Sequence, residues 1–133
     1  MPRESHSWAY ARGRLAPFGQ LVRVENGVMK GFPDTVYCLI SVCGLLEMKA
    51  TLQSLTIEQV LFAEQWHAAG GLCHALLRAD RRWFLLDPPG MRRAYAHEEP
   101  RPVVAAREFP LKDILRHLAP VERRLPIMRQ QVA

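Results

Sequence analysis

Read by the spacing of its apolar positions, the chain divides into five short runs with strand character and three with helical spacing. The first helix is predicted over 3–15, where Trp8, Ala11 and Leu15 form an apolar stripe and Pro17 stops the run. A strand over 21–25 follows, closed by the turn pair Asn26-Gly27. Two consecutive apolar runs, 35–40 and 42–48, predict a hairpin that turns within 41–44. After a loop over 50–54, Thr56 with Gln59 three residues later has the sequence form of a capping box. The helix it opens runs toward Ala69, with Ile57, Leu61, Phe62 and Trp66 as the expected buried face, and Gly70-Gly71 ends it. Runs over 72–77 and 83–86 predict two more strands, joined by the charged turn 79–82. The expected fold is therefore α/β: a helix, a three-stranded antiparallel meander, a helix and two further strands in a mixed central sheet.

The pattern changes after Asp87. Pro88-Pro89-Gly90 is expected to break the fold, and Pro100, Pro102 and Pro110 punctuate the remaining residues, with a short amphipathic helix over 111–118. Arg92, Arg93, Arg101, Arg107, Arg116, Arg123, Arg124 and Arg129 give this segment a basic bias. At 133 residues the chain is read as one domain, with a core over 1–87 and a basic surface extension over 88–133 that suits a substrate or dimer arm. Leftover apolar groups in 111–118 and near Trp83 are the candidate dimer interface.

Composition narrows the class. Apolar residues make up 49% and charged residues 23%, which is globular usage without repeats. Eighteen Lys and Arg against thirteen Asp and Glu give a formal charge of +5, which suits a polyanionic partner. The N-terminus lacks an apolar signal core, and the longest apolar stretch, 36–46, falls short of the roughly 20 residues that span a bilayer. A cytoplasmic protein of a bacterial or phage-infected cell, with no membrane contact, is expected. Cys38, Cys43 and Cys73 form no CxxC pair, and their odd number argues against a disulfide framework. With His67 and His74 they lack the paired spacing of a zinc site, so buried apolar cysteines and structural histidines are expected.

The chemistry concentrates at the predicted hairpin. Asp34 precedes one strand, and Glu47 and Lys49 end the next, sharing a face because side chains alternate along a strand. Pairing of the two runs would bring Asp34 across from them. Magnesium takes oxygen ligands and commonly uses only one or two protein carboxylates, with water and substrate phosphate completing its shell. Asp34 and Glu47 meet that need, and Lys49 could orient water or offset developing negative charge. A Glu47–Lys49 surface salt bridge is the plainer alternative.

The ordered segments Arg23-Val24-Glu25-Asn26-Gly27, Gly31-Phe32-Pro33-Asp34, Leu46-Glu47-Met48-Lys49, Leu55-Thr56 with Gln59, Ala69-Gly70-Gly71, Leu77-Arg78 and Trp83-Phe84-Leu85-Leu86 carry a family resemblance. Together they resemble the PD-(D/E)XK nuclease superfamily, most of all its small stand-alone VRR-NUC branch of phages and mobile elements. The run Leu-Glu-Met-Lys is also similar to that of archaeal Holliday junction resolvases. The resemblance covers about half the chain and implies a restriction-endonuclease-like core. It further implies a Mg2+- or Mn2+-dependent DNA endonuclease, with Asp34, Glu47, Lys49 and Gln59 catalytic. Asp34, Glu47 and Glu4 would be the metal ligands, with Glu25 the rival for the extra acid and Arg78 a phosphate contact. Relatives that resolve junctions place two sites on one two-fold body, so a homodimer selective for branched DNA is expected. The contrasting expectation is a non-catalytic nucleic-acid-binding or structural protein of a mobile element on the same fold.

Overall fold

A computed structural model describes residues 6–24, 29–51 and 54–130. Among them, α1 (His6–Leu15) and β1 (Gly19–Arg23) precede the hairpin of β2 (Thr35–Leu39) and β3 (Val42–Lys49). Then come α2 (Ile57–Ala68), β4 (Cys73–Ala79), β5 (Arg82–Leu86), α3 (Pro88–Tyr95), β6 (Val104–Ala106) and α4 (Leu111–Leu118). The six strands lie in sequence order, all antiparallel to their neighbours except β3 and β4, which run parallel. A parallel pair needs a crossover, and α2 supplies it.

The two faces of the sheet bury different helices. Trp8, Ala11 and Leu15 of α1 join Ile114, Leu115 and Leu118 of α4 against Tyr37, Leu39, Leu46, Leu76, Trp83 and Leu85. Val60 and Ala63 of α2 join Met91 and Ala94 of α3 against Leu45, Ala75, Leu77 and Leu86. The α2 stripe differs from expectation: Leu61 and Trp66 are exposed, and the buried pair is Val60 and Ala63. Small side chains let the helix lie close to the sheet, so its larger residues fan outward, and Phe62 stacks on Trp66 while meeting Phe32 edge-on.

The hairpin turn is tighter than predicted. Leu39 pairs with Val42, leaving Ile40 and Ser41 as a two-residue turn with φ of 47° and 66°. Positive φ at both positions is what a type I′ turn requires. That conformation is costly for a β-branched residue, and burial of Ile40 in the core offsets the cost. Asp80 and Arg81 turn β4 into β5 in the same way. Cys38 and Cys43 face each other across the hairpin and form a disulfide, with Cα atoms 4.0 Å apart. Both are exposed, contrary to the expected buried thiols, while Cys73 is free and buried. An odd count excludes complete pairing; it does not exclude one cross-strand pair.

The segment after Asp87 does more than cover the surface. Pro88 and Pro89 open α3 rather than break the fold, because proline fits the first helical turn, and Asp87 caps it by accepting from the Gly90 amide at 2.9 Å. β6 extends the sheet, and α4 is a core helix over the predicted range. Ile114, Leu115, Leu118 and Trp83 are buried within the chain itself, so they do not serve as the expected dimer interface.

Candidate active site at the end of the β2–β3 hairpin

The register of β2 and β3 fixes the geometry. Thr35 pairs with Leu46, so Asp34, one residue before β2, faces Glu47. The Asp34 amide donates to Glu47 Oε2 at 3.2 Å, and the Met48 amide donates to Asp34 Oδ1 at 3.2 Å. Thr35 Oγ1 donates to the same Asp34 oxygen at 3.1 Å. Side-chain carboxylates thus continue the ladder where backbone pairing stops. Lys49, two residues on and on the same face, holds Nζ 3.7 Å from Glu47 Oε1. Gly31, upstream of Asp34, has φ +85° and lies against the Glu58 carbonyl at the start of α2, where any Cβ would collide. Glycine there is what lets the loop carrying Asp34 pass under the helix.

Gln59 joins α2 to this group. Its Oε1 accepts from the Thr56 amide at 2.9 Å while its backbone amide donates to Thr56 Oγ1 at 3.2 Å, completing the predicted capping box. Its Nε2 donates to Glu47 Oε1 at 3.1 Å. One side chain thus caps α2 and also binds the Glu47 carboxylate.

Electrostatics follow from burial. Glu47 is only 5% exposed. Burial, then the neighbouring Asp34 charge, push its carboxyl up to about 7, against the opposing pull of Lys49 and the Asp34 amide. Burial also raises Asp34, opposed by its Met48 and Thr35 hydrogen bonds and by Arg23 and Lys49. Two desolvated carboxyls side by side favour either a shared proton or a cation. The surface salt bridge is thereby ruled out as a description of Glu47 and Lys49: one partner is buried and the other only 19% exposed.

Beside the pair lies a cavity of about 230 Å³ lined by Arg23, Asp34, Lys49, Arg78 and Trp83, among others. Glu47 does not line it; it is buried beside Asp34, which does. Among the described residues no three His, Cys, Asp or Glu side chains are grouped to hold a metal ion. The carboxylates gathered here among the described residues are two, Asp34 and Glu47. Asp34 Oδ2 accepts from none of the described residues, and each Glu47 oxygen keeps a lone pair beyond its hydrogen bond. That set fits a magnesium ion, which needs few protein ligands.

Of the predicted site residues, Asp34, Glu47, Lys49 and Gln59 come together, while Glu4 and Glu25 lie outside the described residues. Arg78 is at the cavity wall with its guanidinium 5.3 Å from the Trp83 ring centroid. Arg23, which the sequence places in the resembling segment but gives no site role, joins the site through its pairing with Thr35, a consequence of register. His74, expected to be structural, is buried, with its Nδ1 unpaired and its ring 6.4 Å from that of His117. Burial holds its pKa down to about 4. No protein-family model matches the chain, and no curated protein matches it significantly.

Proposed function

We propose that this protein is a divalent-metal-dependent endonuclease that hydrolyses phosphodiester bonds in DNA, built on a PD-(D/E)XK, restriction-endonuclease-like core. The observation that carries the reading is the meeting of Asp34, Glu47 and Lys49 at one end of the sheet, next to a cavity lined by Arg23 and Arg78. Asp34 and Glu47 would hold Mg2+ or Mn2+, which when bound would activate water and offset phosphate charge. Beside them, Gln59 fixes the rotamer of Glu47, and Lys49 holds a positive charge 3.7 Å from it, placed to orient a water. Arg23 and Arg78 would face the anionic backbone across the cavity.

The proposed substrate is branched or four-way DNA, cut by a homodimer with low sequence specificity. Two concerted cuts need two copies of a one-site chain, and C2 pairs are the commonest oligomers. The test is nicking of supercoiled plasmid and of labelled linear and four-way DNA, with Mg2+ or with excess chelator. Metal-dependent nicking that Glu47→Ala and Lys49→Ala abolish would support the reading. Cleavage in excess chelator, or full activity of Glu47→Ala, would overturn it. Equal cutting of linear and four-way DNA by a monomer would remove the branched-substrate part alone.

A further inference from the structure

We propose that a second cavity, formed by α1, β5 and the loop after β6, is the groove that grips the duplex DNA backbone on one side of the candidate site. The inference rests on the endonuclease reading for its ligand but on separate residues for its geometry. This cavity, about 440 Å³, is lined by Tyr10, Arg14, Arg78, Arg107 and Phe109 among others, and shares Arg78 and Trp83 with the cavity beside Asp34 and Lys49. The two therefore form one continuous surface.

Its construction suits phosphates. Tyr10, Trp83 and Phe109 pack as an aromatic cluster, with Tyr10 stacked on Trp83 at 6.1 Å and Phe109 edge-on to Trp83 at 5.0 Å. Arg14 rests on it, 5.6 Å from the Phe109 ring centroid, with Nη1 donating to the Tyr10 hydroxyl at 3.0 Å. Arg78 rests against Trp83, its guanidinium 5.3 Å from the ring centroid. A guanidinium braced on an aromatic ring is oriented, yet keeps edge N–H groups for a ligand. Glu108 also lines the cavity, but no described carboxylate forms a salt bridge with Arg14, Arg78 or Arg107. Elsewhere the chain does pair its arginines, as Arg92 with Glu64 at 2.7 Å. Three cations without acidic partners among the described residues, set along one continuous surface, call for an extended polyanion.

The experiment measures binding of labelled duplex DNA without divalent metal, as a function of salt. Each phosphate contact contributes about −0.9 to the log–log slope, so Arg14→Gln with Arg107→Gln should flatten it by about 1.8 and weaken binding by on the order of tenfold. Both side chains are exposed, so the fold should survive, which circular dichroism can check. A control removing Arg101 and Arg129, exposed and outside both cavities, should leave the slope as in the parent. An unchanged slope in the groove variant, an equal change in the control, or no binding by the parent would overturn the groove. Binding that follows these expectations in a protein that never nicks DNA would retain the groove and sink the endonuclease reading alone.

Discussion

Asp34 and Glu47 hold each other in place: the amide of Asp34 binds the Glu47 carboxylate, and the amide after Glu47 binds the Asp34 carboxylate. This reciprocal pair positions two acids from strand register, because Glu47 lies within β3 and Asp34 is one residue before β2. It also sets two anionic groups where water is scarce, which is the source of their raised pKa values.

Gln59 allows the site to be separated from the helix cap. Thr56→Ala removes a cap bond and should cost about 1 kcal/mol of stability while leaving nicking near normal. Gln59→Glu keeps an oxygen for the Thr56 amide but removes the Nε2 donor to Glu47 and adds a like charge. If Glu47 holds the metal as proposed, nicking should fall by roughly 10–100-fold, the usual effect of losing a group that orients a metal ligand. Equal losses in the two variants, with stability and initial nicking rates measured together, would mean that Gln59 acts only through the helix.

Much of this is legible in the sequence because local rules fix it. The capping box, the α4 range and the alternation of Glu47 and Lys49 all depend on near neighbours. The facing of Asp34 and Glu47 is also legible, because a short hairpin leaves little choice of register. The hidden features depend on distant contacts. The α2 face departs from its apolar spacing because Val60 and Ala63 win burial through close approach to β4, a packing choice that hydrophobicity does not reveal. Arg23 and Arg78 meet only through pairings of β1 with β2 and β3 with β4. The structural role of residues after Asp87 is concealed because prolines that end elements also open helices.

Stability should show two opposed proton linkages. Glu47 has a folded pKa of about 7 against an ordinary 4.5, so the folded state retains a proton that the unfolded chain releases. Stability from this group is complete below about 4.5 and is lost as pH rises through about 7. His74 is held to about 4 against an ordinary 6.5, so the unfolded chain gains a proton that the folded state refuses. That group costs stability as pH falls from about 6.5 to about 4. Each effect is on the order of 3 kcal/mol, and between about 4.5 and 6.5 they cancel. Urea midpoints of the metal-free protein should vary less there than in either of two single variants, with the raised Asp34 carboxyl adding a further loss as pH rises. Glu47→Gln should leave the acid-side loss exposed, and His74→Leu the alkaline-side loss. A flat profile in both variants would contradict these environments.

Cation binding should follow the same carboxyl. A divalent ion favours ionised Glu47, so Mg2+ should raise the thermal midpoint more at about pH 8 than at about pH 5.5, as ligand binding to the folded state alone requires. Nicking should rise through about pH 7. Calcium, with its looser coordination at about 2.3–2.6 Å, should stabilise without supporting comparable cleavage. Glu47→Gln should lose both the thermal shift and the activity. A shift that persists in that variant would put the ion elsewhere.

Residues after Asp87 offer the sharpest test of architecture. Were they only a basic arm, their removal would flatten the salt dependence of DNA binding and leave the fold intact. Deleting 88–133 instead strips β6 from the sheet edge and exposes Leu39, Leu85 and Trp83, which pack with Ile114, Leu115 and Leu118. Tyr37 would also lose the acceptor of its hydroxyl, the Leu118 carbonyl at 2.7 Å. The truncated chain should therefore fail to unfold cooperatively. Leu115→Ala should cost about 2–5 kcal/mol, the range for a buried leucine cavity. Ile127→Ala, at a side chain 90% exposed, should cost almost nothing. Calorimetry on the three proteins decides the matter: a truncated chain that melts like the parent would make the segment an arm after all.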